Sequence, residues 1–134
     1  MDTDPLVAIL SRRDQYHDAC VTALQHMPAP LLSCWPVITE AAWLLRSSPN
    51  VVQQLLRSID RGFLELLPLT GAEAEAIASV MKRYEEIRLQ LADATLVYLA
   101  NREQIDTIFT LDHRDFSVYR GRRKRAFRIV PEVE

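Results

Sequence analysis

Prolines and glycines cut this chain into two kinds of segment, short apolar runs and longer stretches of helical period, and the two kinds alternate. Leu6 to Leu10 follows Pro5 and reads as the start of a helix. Asp14 is placed to cap a second helix carrying Ala19, Ala23, Leu24 and Met27 at helical spacing, which Pro28 and Pro30 stop. Leu31 to Cys34 is short and apolar enough for a buried strand. Pro36 suits the first turn of a helix through Val37, Ala41, Leu44 and Leu45, closed by Pro49, and Val51 to Ile59 has the next helical period. Phe63 to Leu67 is a second strand, bounded by Gly62 and Pro68. Thr70 opens a helix with Ala74, Ile77, Ala78, Met81 and Tyr84 on one face. Leu91 to Arg102 is helical, and Thr107 to Leu111 and Phe127 to Val130 are strands. Short apolar strands alternating with helices predict an α/β fold, a mainly parallel sheet covered on both faces. A strand is also expected before the first helix, yet only Met1 to Asp4 precedes Pro5. Either that strand is very short, or the natural start lies upstream.

At 134 residues, 49% apolar and 25% charged, the chain has the balance of one soluble globular domain spanning 1–134, and disordered, collagen-like and repeat architectures are excluded. No apolar run approaches the roughly 18–20 residues of a membrane span, and no secretory leader opens the chain. Cys20 and Cys34 are too few for a disulfide framework, so a reducing cytoplasm is the expected address. Six of the sixteen lysines and arginines fall in a basic C-terminal segment, at Arg120, Arg122, Arg123, Lys124, Arg125 and Arg128, while the body is acidic. That asymmetry hints at a polyanionic partner, although a solvated hairpin tip would look the same.

With only three glycines and no phosphate-loop lysine motif, nucleotide-cradling loops are hard to build. No zinc spacing occurs, and none of the three histidines stands beside a nucleophile elbow. Carboxylate chemistry remains. Asp2, Glu40, Asp93 and Asp112 each fall where a strand ends or where a helix turns toward a strand end, and the carboxyl ends of such strands converge on the ligand crevice. Each acid also has an ordinary reading: a terminal residue, an exposed helix position, a helix cap and a turn. Glu40 shares a helical face with Trp43 and Leu44, and Leu96, Val97 and Ala100 continue the face of Asp93. Carboxylates gathered in one place raise one another's pKa, a conflict that a hard divalent cation resolves. Asp4 and Asp115 are second-rank candidates for the same pocket.

The order and context of these acids resemble the PIN domain family, and more narrowly the VapC-type toxin ribonucleases of bacterial toxin–antitoxin pairs. The resemblance runs through Asp2-Thr3 with Leu6-Val7-Ala8, Thr39-Glu40, Leu91-Ala92-Asp93-Ala94, and Thr110-Leu111-Asp112 with Asp115-Phe116. It implies a three-layer α/β/α sandwich, Mg²⁺- or Mn²⁺-dependent cleavage of RNA, a homodimer, and an antitoxin that threads a segment into the acidic groove. Asp2 and Asp93 are then the main cation ligands, with Asp112 and Glu40 binding a second ion or orienting water. The basic segment is expected to hold the RNA backbone against them. A catalytically inactive PIN-like binding module is the alternative. A phosphoacceptor receiver is a weaker one, because Lys82 lies within a helix and Lys124 in the basic segment, so neither follows a late strand.

Overall fold

Two residues of extended chain hold the sheet together. In the computed structural model, which describes residues 1–121 and 124–132, the Met1 amine donates to Leu32 O at 2.6 Å and Ser33 Oγ donates to Met1 O at 2.9 Å. On the other side the Asp2 N–H donates to Phe109 O at 2.8 Å. Met1 and Asp2 therefore bridge two parallel strand pairs. One pair is β1 (Leu31–Ser33) with β2 (Leu64–Leu66), in the register Leu31 to Leu64. The other is β3 (Thr107–Phe109) with β4 (Arg128–Val130), in the register Thr107 to Arg128. The layer runs β2, β1, Met1–Asp2, β3, β4, and all its carboxyl ends lie at one edge.

The helices are α1 (Thr3–Leu10), α2 (His17–Gln25), α3 (Trp35–Leu44), α4 (Pro49–Asp60), α5 (Ala74–Arg83), α6 (Leu91–Arg102) and the single turn α7 (His113–Phe116). They cover both faces, because successive strand residues point to opposite sides. Ile108 joins the larger apolar cluster with Val37, Ala41, Leu55, Val97, Leu99 and Tyr119. Phe109 joins a smaller one with Ala8 and Cys20 beneath α1 and α2. The result is the three-layer sandwich. Among the described residues no helix is long and apolar enough to cross a membrane. Cys20 and Cys34 are free and buried.

Helix α6 explains how the middle of the molecule packs so closely. Ala92, Ala94 and Ala100 let it approach its neighbours while Leu96, Val97 and Leu99 fill the core, so it is buried on most sides. Arg102 at its far end bonds Glu73 at 2.7 Å and Pro68 O at 2.8 Å, fixing the 3₁₀ turn Gly71–Glu73 that precedes α5.

Three local expectations are corrected. Asp14 does not cap α2, which starts at His17; its Oδ1 accepts the Tyr16 N–H at 2.8 Å and closes a turn instead. The first helix starts at Thr3 rather than at Leu6, because the Asp2 side chain caps it. Trp43 and Leu44 are 63% and 49% exposed, so the face they share with Glu40 looks outward, and α3 buries Val37, Ile38 and Ala41.

Candidate active site

Strand direction decides which helix ends meet. Helices α1, α3 and α7 leave the sheet at its carboxyl edge. Helix α6 feeds β3, so its own N-terminus returns to that edge. Each of these places brings an acid. Asp2 is the N-cap of α1 and is only 5% exposed; Oδ1 accepts the Thr3 N–H at 2.8 Å and Oδ2 accepts the Thr110 hydroxyl at 2.7 Å. Thr110 in turn accepts the Asp112 N–H at 3.0 Å, tying the two acids through one hydroxyl. Asp93 is the third residue of α6, and its Oδ2 accepts the Gln90 N–H at 3.1 Å in a capping box. Asp112 caps α7 by accepting the Asp115 N–H at 3.0 Å.

Electrostatics shows that these acids share one neighbourhood. Burial raises the Asp2 carboxyl, against the Thr110 and Thr3 hydrogen bonds that favour its charge, and Asp112 adds to the rise. Burial also lifts Asp93, to about 7, with Asp2, Glu40 and Asp112 contributing. Glu40 is raised by burial, Asp2 and Asp4; the Thr3 hydroxyl opposes the rise while stopping short of a hydrogen bond. Asp4, exposed as a residue, still has its carboxyl raised, first by desolvation and then by Asp2 and Asp112. Asp115 is raised by desolvation and by Asp112. Among the described residues, none of these carboxylates forms a salt bridge; the only ion pairs there are Lys82–Glu85 and Arg102 with Glu73 and Glu103.

The four acids predicted from sequence are thus brought together, with Asp4 and Asp115 at the margin. They do not close into a ready-made cage: among the described residues no three of Asp, Glu, His and Cys stand as a metal-holding group. Asp2, Asp93 and Asp112 each give one oxygen to a backbone N–H at a helix start. Among the described residues, three buried side-chain polar atoms have no hydrogen-bond partner: Thr3 Oγ1, His113 Nε2 and the Tyr119 hydroxyl. Burial pushes the Tyr119 phenol well above its usual range, with Asp93 the largest of the acidic contributors.

The basic segment is arranged differently from the expectation. Because β4 runs parallel to β3, the chain must return to the amino edge before entering it, and Arg128 therefore stands opposite Thr107, away from the acids. Arg120 donates from Nη1 to the carbonyls of Ser117, Val118 and Tyr119 at 2.6–3.1 Å. Arg122 and Arg123 lie outside the described residues. Lys124 and Arg125 are exposed, and Lys124 lines a depression of about 530 Å³ with Arg83, Tyr84 and Arg120. Arg83 is missed by sequence reasoning, and Thr110, though part of the motif Thr110-Leu111-Asp112, is given no role there; its hydroxyl's bond to Asp2 is seen only in the fold. A larger groove of about 1020 Å³ runs between α2 and β4, past His26 and Arg128, remote from the acids.

A family model described as PIN domain matches residues 1–121. The curated protein Ribonuclease VapC26 of Mycobacterium tuberculosis is 31% identical over 133 residues, 98% of each chain. The crystal structure of Mycobacterium tuberculosis VapC20, a sarcin-ricin loop cleaving toxin, superposes with a TM-score of 0.67 at 17% identity. It covers 79% of this chain and 83% of that one, a likeness of fold.

Proposed function

The chain belongs to the PIN domain family, and from that premise we infer that it is an endoribonuclease, the toxin of a toxin–antitoxin pair, cleaving RNA with Mg²⁺ or Mn²⁺. The observation that carries this reading is the meeting of Asp2, Glu40, Asp93 and Asp112, drawn from separate elements, with no basic side chain paired to any of them among the described residues. The likeness to a named ribonuclease along nearly the whole chain supports it.

The donor set suits a hard cation: it is all oxygen, negatively charged and desolvated. Such a set of carboxylates also suits Mg²⁺, which keeps several waters and takes one or two carboxylates together with substrate phosphates. Asp2 and Asp93 would hold it. When bound, such an ion supplies charge neutralisation, polarises the scissile phosphate and lowers the pKa of water. The remaining work falls to the chain. The Thr3 N–H and the Thr110 hydroxyl keep Asp2 in one orientation. Glu40 and Asp112 turn the attacking water toward the phosphorus, and one of them takes its proton as the new P–O bond forms and the P–O bond to the leaving oxygen breaks, that oxygen being protonated from solvent. Lys124, Arg125 and Arg83 take flanking RNA phosphates, contacts that give affinity without sequence choice. The same reading gives the protein an antitoxin that covers the acidic groove, a homodimeric assembly and a cytoplasmic address.

Cleavage of a labelled single-stranded RNA tests it. Wild-type protein with Mg²⁺ or Mn²⁺ is expected to cleave internally and to stop in EDTA, and Asp93→Asn and Asp112→Asn are expected to lose about a hundredfold or more while keeping their circular dichroism. Full cleavage in EDTA overturns the cation requirement. RNA binding without cleavage by wild type returns the chain to a catalytically inactive PIN-like module.

A further inference from the structure

Trp35 stands 57% exposed at the edge where the acids meet. It is the first residue of α3, two places beyond Ser33, whose hydroxyl donates to Met1 O beside Asp2 at 2.9 Å. Side chains at a helix start lean toward the N-terminal end, so the indole leans out past the carboxyl edge of the sheet. Leu91, 55% exposed, holds the same place on α6: it opens the helix two places before Asp93. Helices α3 and α6 pack together and both start at this edge, so Trp35 and Leu91 give the carboxylates an uncharged rim. Trp43 is the contrast. It is also exposed on α3, but Arg46 stands 3.9 Å over its ring, and two turns of helix carry it roughly 12 Å from the edge. Among the described residues no ring or guanidinium covers the Trp35 indole, which therefore offers a bare π-face beside the acids.

Carboxylates repel phosphates, so an RNA strand beside them needs a contact that does not depend on charge. A nucleobase supplies one: its flat face stacks on an aromatic ring whichever base it is, provided that the base is unpaired. We propose that Trp35, flanked by Leu91, is a platform on which an unpaired base next to the scissile phosphate stacks. The proposal rests on the nuclease reading and adds a choice of substrate to it: RNA whose bases are unpaired at the cut, with little regard to which base stands there. Stacking holds the strand equally before and during the reaction, so it acts on KM rather than on kcat.

Fluorescence reads the two tryptophans apart, since the chain has no others. An Asp112→Asn background keeps Asp2 and Asp93 and leaves the RNA intact during a titration. In it, Trp43→Phe has Trp35 as its sole tryptophan, and Trp35→Phe has Trp43. A short single-stranded RNA with Mn²⁺ is expected to quench the first and leave the second unchanged. The same RNA made abasic, or paired in a duplex, is expected to quench neither. In cleavage by the protein with Asp112 intact, Trp35→Ala is expected to raise KM about tenfold at unchanged kcat, and Trp43→Ala to match wild type. No quenching at Trp35, equal quenching by the abasic RNA, or a wild-type KM in Trp35→Ala overturns the proposal. So does a Trp35→Ala variant that sediments as a smaller species than wild type, because the indole would then lie between two protein chains. If single-stranded RNA quenches Trp35 but wild type never cleaves it, the platform stands and the nuclease reading is wrong, and the two failures are told apart.

Discussion

Asp93 serves two masters with one carboxylate. Its Oδ2 caps α6, which favours the charged form, while burial and the nearby acids push its pKa to about 7. An unfolded Asp93 ionises near 3.8, the ordinary value for an aspartate, so the folded protein holds this proton more tightly than the unfolded chain. The resulting stability is complete below that value and is lost as pH rises through about 7. Cation-free protein is therefore expected to be more stable at pH 5 than at pH 8, by on the order of 2 kcal/mol, discounted for partial exposure. Asp93→Asn should flatten this dependence, and urea melts of both proteins across the range check it; an equal slope in the variant contradicts it. The gathering of Asp2, Glu40, Asp93 and Asp112 at one edge was legible in the sequence because each acid falls where a strand ends or a helix turns toward a strand end. The bond from Thr110 to Asp2 was not, since a hydroxyl's role depends on which partner folding brings to it from far along the chain.

Helices were the elements the sequence disclosed best, because period 3.6 over ten residues is a strong pattern. Met1 and Asp2 have no period to disclose; only their backbone bonds to Leu32 and Phe109 reveal them as the link between the strand pairs. The basic segment shows the other limit. Its charge is plain in the sequence, but the edge at which Arg128 stands follows from the parallel register of β4. The turn before β4 has a steric requirement of its own. Arg120 and Ala126 pair across it and bring Phe127 onto buried Gly121, where an added Cβ would stand 2.7 Å from Phe127 Cε1. Gly121→Ala is expected to lower stability by about 1–3 kcal/mol in a denaturant melt, because the ring must move within the core. A variant as stable as wild type would contradict that packing.

Over the whole molecule, parallel strands and a returning α6 gather at one edge acids that are up to 110 residues apart in the sequence. Such a cluster opposes its own folding until something neutralises it. A ligand bound only by the folded form stabilises it by mass action, by about 2.7 kcal/mol at 100 times its dissociation constant. The direct measurement is a thermal melt of wild type and Asp93→Asn, each with EDTA and with Mn²⁺. Wild type is expected to gain about 5 °C or more with Mn²⁺. Asp93→Asn, whose amide oxygen can still cap α6 and which removes one negative charge from the cluster, is expected to be at least as stable as wild type in EDTA and to lose most of the Mn²⁺ gain. An Asp93→Asn variant that keeps the full increment would contradict the assignment of this acidic cluster as a cation site.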